Sequence, residues 1–99
     1  MKAPHRQNVI EKAPGVVTRV IAGETILVPV SGNVADMQRI FSINEMGAFL
    51  WELIDGTASL EELAFAVAGE FDVDEETALS DVLEFARGLL GSGLAAVRS

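Results

Sequence analysis

The run Ile43-Asn44-Glu45-Met46-Gly47-Ala48-Phe49-Leu50-Trp51-Glu52-Leu53-Ile54-Asp55-Gly56 divides the chain into a β-branched half and a helical half. Asn44 is a good N-cap, because its short side chain can accept a hydrogen bond from an unpaired amide of the first turn. Met46, Phe49, Leu50 and Leu53 follow at i, i+3, i+4 and i+7, the spacing of one helical face. Asp55-Gly56 ends this first helix, with Gly56 suited to the left-handed C′ position. Downstream, Ser59 and Glu62 form a capping box for a second helix with the stripe Leu60, Leu63, Ala64, Val67, Ala68, Phe71. Asp74, Glu75 and Glu76 place negative charge at the start of a third helix, where the helix dipole favours it. That helix runs to about Leu90 and stops at Gly91-Ser92-Gly93, leaving Leu94 to Val97 as an apolar tail able to pack back on the bundle.

Upstream the pattern changes to strands. Val16 to Ile21 is a first strand, Ala22-Gly23 a tight reversal, and Thr25 to Val30 a second strand. Pro29 has no amide to donate, so it belongs at the strand's end or on an unpaired side. After the turn Ser31-Gly32-Asn33, Ala35 to Ile43 is a third strand. Met37, Phe41 and Ile43 share one of its faces with Arg39, and so polar a strand belongs at a sheet edge. Residues 1–15, with Pro4, Pro14 and Gly15, read as a flexible N-terminal arm, and residues 16–97 as one domain. The expected class is α+β: a three-stranded antiparallel sheet followed by a three-helix bundle.

The 99 residues, 49% of them hydrophobic, suit a single folded domain rather than a disordered chain. No cysteine is present, which removes disulfides, thiolate metal sites and cysteine nucleophiles. His5 is the single histidine, in a polar stretch far from any partner. No apolar run approaches the roughly 20 residues of a membrane span, and the N-terminus lacks the apolar core of a signal peptide. A cytoplasmic protein is the expectation, with no membrane partner.

Charge is uneven. Residues 1–49 carry five basic and four acidic groups, and residues 50–99 carry two basic and eleven acidic groups. Duplex binding needs clustered Lys and Arg, so the helical half would repel nucleic acid. Most of its carboxylates sit at caps and first turns rather than converging as an acid–base pair. The Asp72-Val73-Asp74-Glu75-Glu76 run lacks the central glycine and closing glutamate of a calcium loop. No nucleophile triad or phosphate-binding loop is present. No enzyme activity, cofactor or metal is expected. Trp51 reads as packing rather than a ligand platform.

The third helix carries a wide apolar stripe. Ala78, Leu79, Val82, Leu83, Phe85, Ala86, Leu89 and Leu90 span roughly 160° at 100° per residue, where one core needs about 100°. The surplus either buries a second surface or reflects packing on two neighbours. A small sheet with an exposed edge beside such a helix suits strand addition, in which an extended peptide pairs with the edge. Arg39 has two readings on that edge: protection against aggregation, or pairing with an acidic peptide.

The quoted run resembles the "L-N-x-x-x-x-x-x-W-x-x-x-D-G" pattern of the PqqD-like family. The likeness continues through Ser59-Leu60-Glu61-Glu62-Leu63 and Phe71-Asp72-Val73. It ends at Asp81-Val82, Phe85, Leu89 and Gly93-Leu94, which look like that family's "D-V-x-x-F-x-x-x-L-x-x-x-G-L" signature. It covers about residues 16–96. The resemblance implies a winged-helix-like RiPP recognition element. Such domains bind the leader of a ribosomally made precursor peptide and present it to a maturation enzyme, such as a radical S-adenosylmethionine enzyme or a leader peptidase. Carried over, the peptide-binding surface is Ala35, Asp36, Met37, Gln38, Arg39, Ile40 and Phe41 on the strand, with Leu79, Val82, Leu83 and Ala86 on the helix.

One departure is the run between Pro29 and Asn44, longer than in the quinone-cofactor members, which argues against a role in pyrroloquinoline quinone synthesis. Two rival readings come from other classes. One is a winged-helix DNA-binding regulator, disfavoured by charge. The other is an assembly module whose edge strand pairs with its own copy as a homodimer.

Overall fold

The computed structural model describes residues 4–29 and 41–98. In chain order these form β1 (Ile10–Lys12), β2 (Val16–Ile21), β3 (Glu24–Pro29), β4 (Phe41–Ile43), α1 (Glu45–Leu53), α2 (Leu60–Phe71), α3 (Glu75–Gly91) and β5 (Ala95–Val97). Strands β2, β3 and β4 make an antiparallel sheet in that order. The three helices follow it, so the α+β class and the order of sheet then helices are as expected. Of the expected third strand, residues 35–40 lie outside the described residues, and β4 is its described end.

The β2–β3 hairpin turns on Ala22 and Gly23, both at positive φ, 53° and 82°. Two-residue loops of this kind match the right-handed twist of the strands they join. Alanine meets a Cβ clash there that glycine lacks and that asparagine offsets through local hydrogen bonds of its side chain. Ala22→Asn is therefore expected to stabilise the domain by about 0.5–1 kcal/mol, raising the thermal midpoint by about 4 °C. An unchanged or lower midpoint in a thermal melt would contradict the strain.

Each helix begins as its sequence dictates. The Asn44 side chain accepts from the Gly47 amide at 2.8 Å, Ser59 and Glu62 complete the reciprocal box, and Asp74 accepts from the Thr77 amide at 2.7 Å. The end of α1 differs. Ile54 is its C-cap, and Gly56, at φ 80°, lies in the turn beyond. Asp55 organises that turn by accepting from Thr57 and Ala58. One face of the sheet, carrying Leu27 and Ile43, closes against Leu50, Trp51 and Ile54 of the α1 region, Leu60, Leu63 and Val67 of α2, and Val82, Ala86 and Leu89 of α3.

The N-terminal segment, expected as a flexible arm, is tied into the domain between Arg6 and Ala13. β1 pairs antiparallel with β5 in a second, two-stranded sheet, with Ile10 opposite Val97. Ile10 is 1% exposed and belongs to the main core. The carbonyls of Asn8 and Arg6 accept the Leu60 and Glu61 amides, each at 2.9 Å. With Ser59 Oγ taking the Glu62 amide, the first three amides of α2, which no helix can satisfy internally, all have partners. The apolar tail packs back as foreseen: Leu94 is buried and β5 follows it.

Candidate functional site

β4 is an outer strand. β3 pairs with one side of it, and among the described residues no strand pairs with the other. The N-terminal segment could have covered that edge, but it binds β5 instead.

Two glycines bring the helices close to β4. A Cβ placed on Gly88 of α3 would stand 3.1 Å from Cζ of Phe41. One placed on Gly47 of α1 would stand 3.0 Å from Cβ of Ile43 and 3.1 Å from Cε1 of Phe85. The α3 face turned toward β4 and α1 is thus Asp81, Glu84, Phe85 and Gly88, spaced i, i+3, i+4, i+7. Between that face and the start of α1 lies a cleft of about 300 Å³, lined by Asn44, Met46, Gly47, Leu50, Asp81, Glu84 and Phe85. Met46, Leu50 and Phe85 give it apolar lining beside the polar Asn44, and two exposed carboxylates, Asp81 and Glu84, stand on its α3 side.

The width of the α3 stripe resolves into a seam with two flanks. Ala78, Val82, Ala86 and Leu89 are fully buried. Phe85 lies on the β4 side, and Leu79 and Leu83 lie half-buried on the other. Of the residues expected to form a peptide surface, Val82 and Ala86 are each 1% exposed, so their side chains are core. Leu79 lines a different cleft, with Arg6, Glu61 and Phe65. Phe41 is half-buried beside Gly88. Ala35, Asp36, Met37, Gln38, Arg39 and Ile40 lie outside the described residues. Sequence reasoning missed Gly88 as a surface residue, although a glycine inside a helix is a signal that something packs against its backbone.

The carboxylates with displaced acidity are structural. Hydrogen bonds from the Thr57 hydroxyl, then from the Thr57 and Ala58 amides, hold Asp55 below its ordinary value. The hydroxyl and amide of Thr77 do the same for Asp74. Both groups shape turns and caps. Trp51 is 3% exposed, with the Lys12 ammonium 5.1 Å from its ring centre, so it packs rather than offering a stacking surface. Among the described residues no group of acidic or histidine side chains is arranged to hold a metal ion, and no helix is long and apolar enough to cross a membrane.

The profile of the family described as coenzyme PQQ synthesis protein D (PqqD) matches residues 24–95. No curated protein matches the sequence. Three solved structures share the fold. The PqqD truncation of Methylobacterium extorquens PqqCD, a stand-alone RiPP recognition element, has a TM-score of 0.75 at 19% identity, over 95% of each chain. TbiB1, in complex with the TbiA(beta) leader peptide, has a TM-score of 0.70 at 24% identity, over 90% of this chain and 98% of its own. Lasso peptide synthetase B1, complexed with the leader peptide, has a TM-score of 0.71 at 15% identity, over 89% and 98%.

Proposed function

The chain belongs to the PqqD family, and we propose that it is a non-catalytic peptide chaperone that binds the leader of a ribosomally made precursor and presents it to a maturation enzyme. The observation that carries this reading is the edge of β4 that no strand covers among the described residues, together with the cleft between α1 and α3. An extended leader adds a strand there, its main chain bonding to the edge and alternate side chains entering the cleft. Main-chain bonds supply affinity, and the mixed apolar and acidic lining of the cleft supplies selectivity.

On this reading the strand side of the site is Ala35, Asp36, Met37, Gln38, Arg39, Ile40 and Phe41. The helix side is Phe85 and Gly88, with Asp81 and Glu84 at the rim, in place of the core residues Val82 and Ala86. The order of small sheet and three helices is used here as a winged-helix-like platform for peptide. The eleven carboxylates of residues 50–99 weigh against its use for DNA. The client enzyme is a radical S-adenosylmethionine enzyme or a leader peptidase, the setting is the cytoplasm where precursors are translated, and the long Pro29–Asn44 run favours a product other than pyrroloquinoline quinone.

Calorimetric titration with a synthetic leader, taken from the precursor encoded beside this protein, tests the proposal. Saturable one-to-one binding is expected. No detectable heat or saturation, with the cognate enzyme also present, would overturn it.

A further inference from the structure

Phe65 stands on the outer side of α2, off the stripe that packs against the core, and is 54% exposed. Two clefts meet at its ring. One is floored by Ala68, Gly69 and Val73, and the other by Ala64 and Leu79. A Cβ placed on Gly69 would meet nothing within 4 Å, so the first floor is open. Carboxylates ring both clefts: Asp74, Glu75 and Glu76 on the α3 side and Glu61 on the α2 side. Among the described residues Arg6 is the cation lining this surface, and it is engaged with Glu61 at 3.4 Å. An exposed aromatic ring over an apolar floor, inside a charged rim, is how an interface anchor is built.

Position and charge together select the occupant. Leu79 lies on the flank of α3 opposite Phe85, so this surface and the β4 cleft can be filled at the same time. A second copy of the chain is disfavoured, because a two-fold contact through this surface would bring two copies of the same carboxylate-rich patch together. We propose that the Phe65 surface docks the maturation enzyme, through an apolar pocket that takes the Phe65 ring and a border of Lys and Arg that meets the carboxylates. This inference rests on the delivery role, which requires leader and enzyme to be held together.

The test uses the full chain, the synthetic leader, and the purified enzyme encoded beside it. Phe65→Ser is expected to weaken enzyme binding about thirtyfold, the loss typical of an interface anchor, while leader affinity and thermal midpoint hold. Glu75→Lys with Glu76→Lys is expected to weaken enzyme binding at low salt, with the difference fading as salt rises. Unchanged enzyme affinity in both variants would overturn the proposal. So would sedimentation showing a wild-type dimer that Phe65→Ser dissolves. If the leader fails to bind wild type while Phe65→Ser still loses the enzyme, the delivery reading falls and the docking surface stands.

Discussion

Replacing Ile10 with alanine is expected to lower the stability of the whole domain by about 2–5 kcal/mol, as removal of a fully buried branched side chain does in a packed core. A domain of this size has about 5–15 kcal/mol in all, so the loss is a large share of it. The reason lies in what Ile10 anchors. It is 1% exposed among helix residues far away in sequence, and the segment it holds also supplies the Asn8 and Arg6 carbonyls that cap α2. Its cross-strand partner Val97 is exposed, so Val97→Ala is expected to cost well under 1 kcal/mol. Urea unfolding of the two variants checks this. Similar midpoints for both, near wild type, would show that the N-terminal segment adds nothing to the fold.

Gly47→Ala is expected to destabilise the domain by about 1–3 kcal/mol, the usual range for overpacking. Alanine in a helix normally gains up to about 1 kcal/mol over glycine. Here the new methyl meets Ile43 Cβ at 3.0 Å and Phe85 at 3.1 Å. Ile43 Cβ is attached directly to the main chain of β4, so it can yield only if the strand moves. Gly69→Ala in α2 is the control, since nothing lies within 4 Å of its Cβ position, and there the ordinary helical gain of about 0.5–1 kcal/mol is expected. Two variants shifting in the same direction in urea unfolding would refute the close approach of α1, β4 and α3.

Much of this architecture was legible because its determinants are local. Asn44, Ser59 with Glu62, and Asp74 bond to amides three residues away, and the apolar stripes repeat within each helix. The β2–β3 hairpin announces itself through Ala22-Gly23 between β-branched runs. The β1–β5 sheet was not legible, because two three-residue strands have no periodicity and their pairing joins the two ends of the chain. The site was half legible. The width of the α3 stripe showed that the helix has more than one apolar neighbour. Which flank faces β4 depends on the contact between Phe41 and Gly88, and that is a tertiary fact. The family resemblance implies Val82 and Ala86 for the peptide surface, although they occupy the buried middle of the stripe. Phe65 carries no periodic signal, because it falls outside every stripe.

A leader that adds as a strand bonds to the sheet at β4. Amide hydrogen exchange with and without the synthetic leader tests it most directly, because an added strand protects the edge it bonds to and leaves the far edge alone. New protection in β4, with little change in β2 at the other edge, is the result predicted. Binding that protects β2, or that protects neither strand, would contradict it.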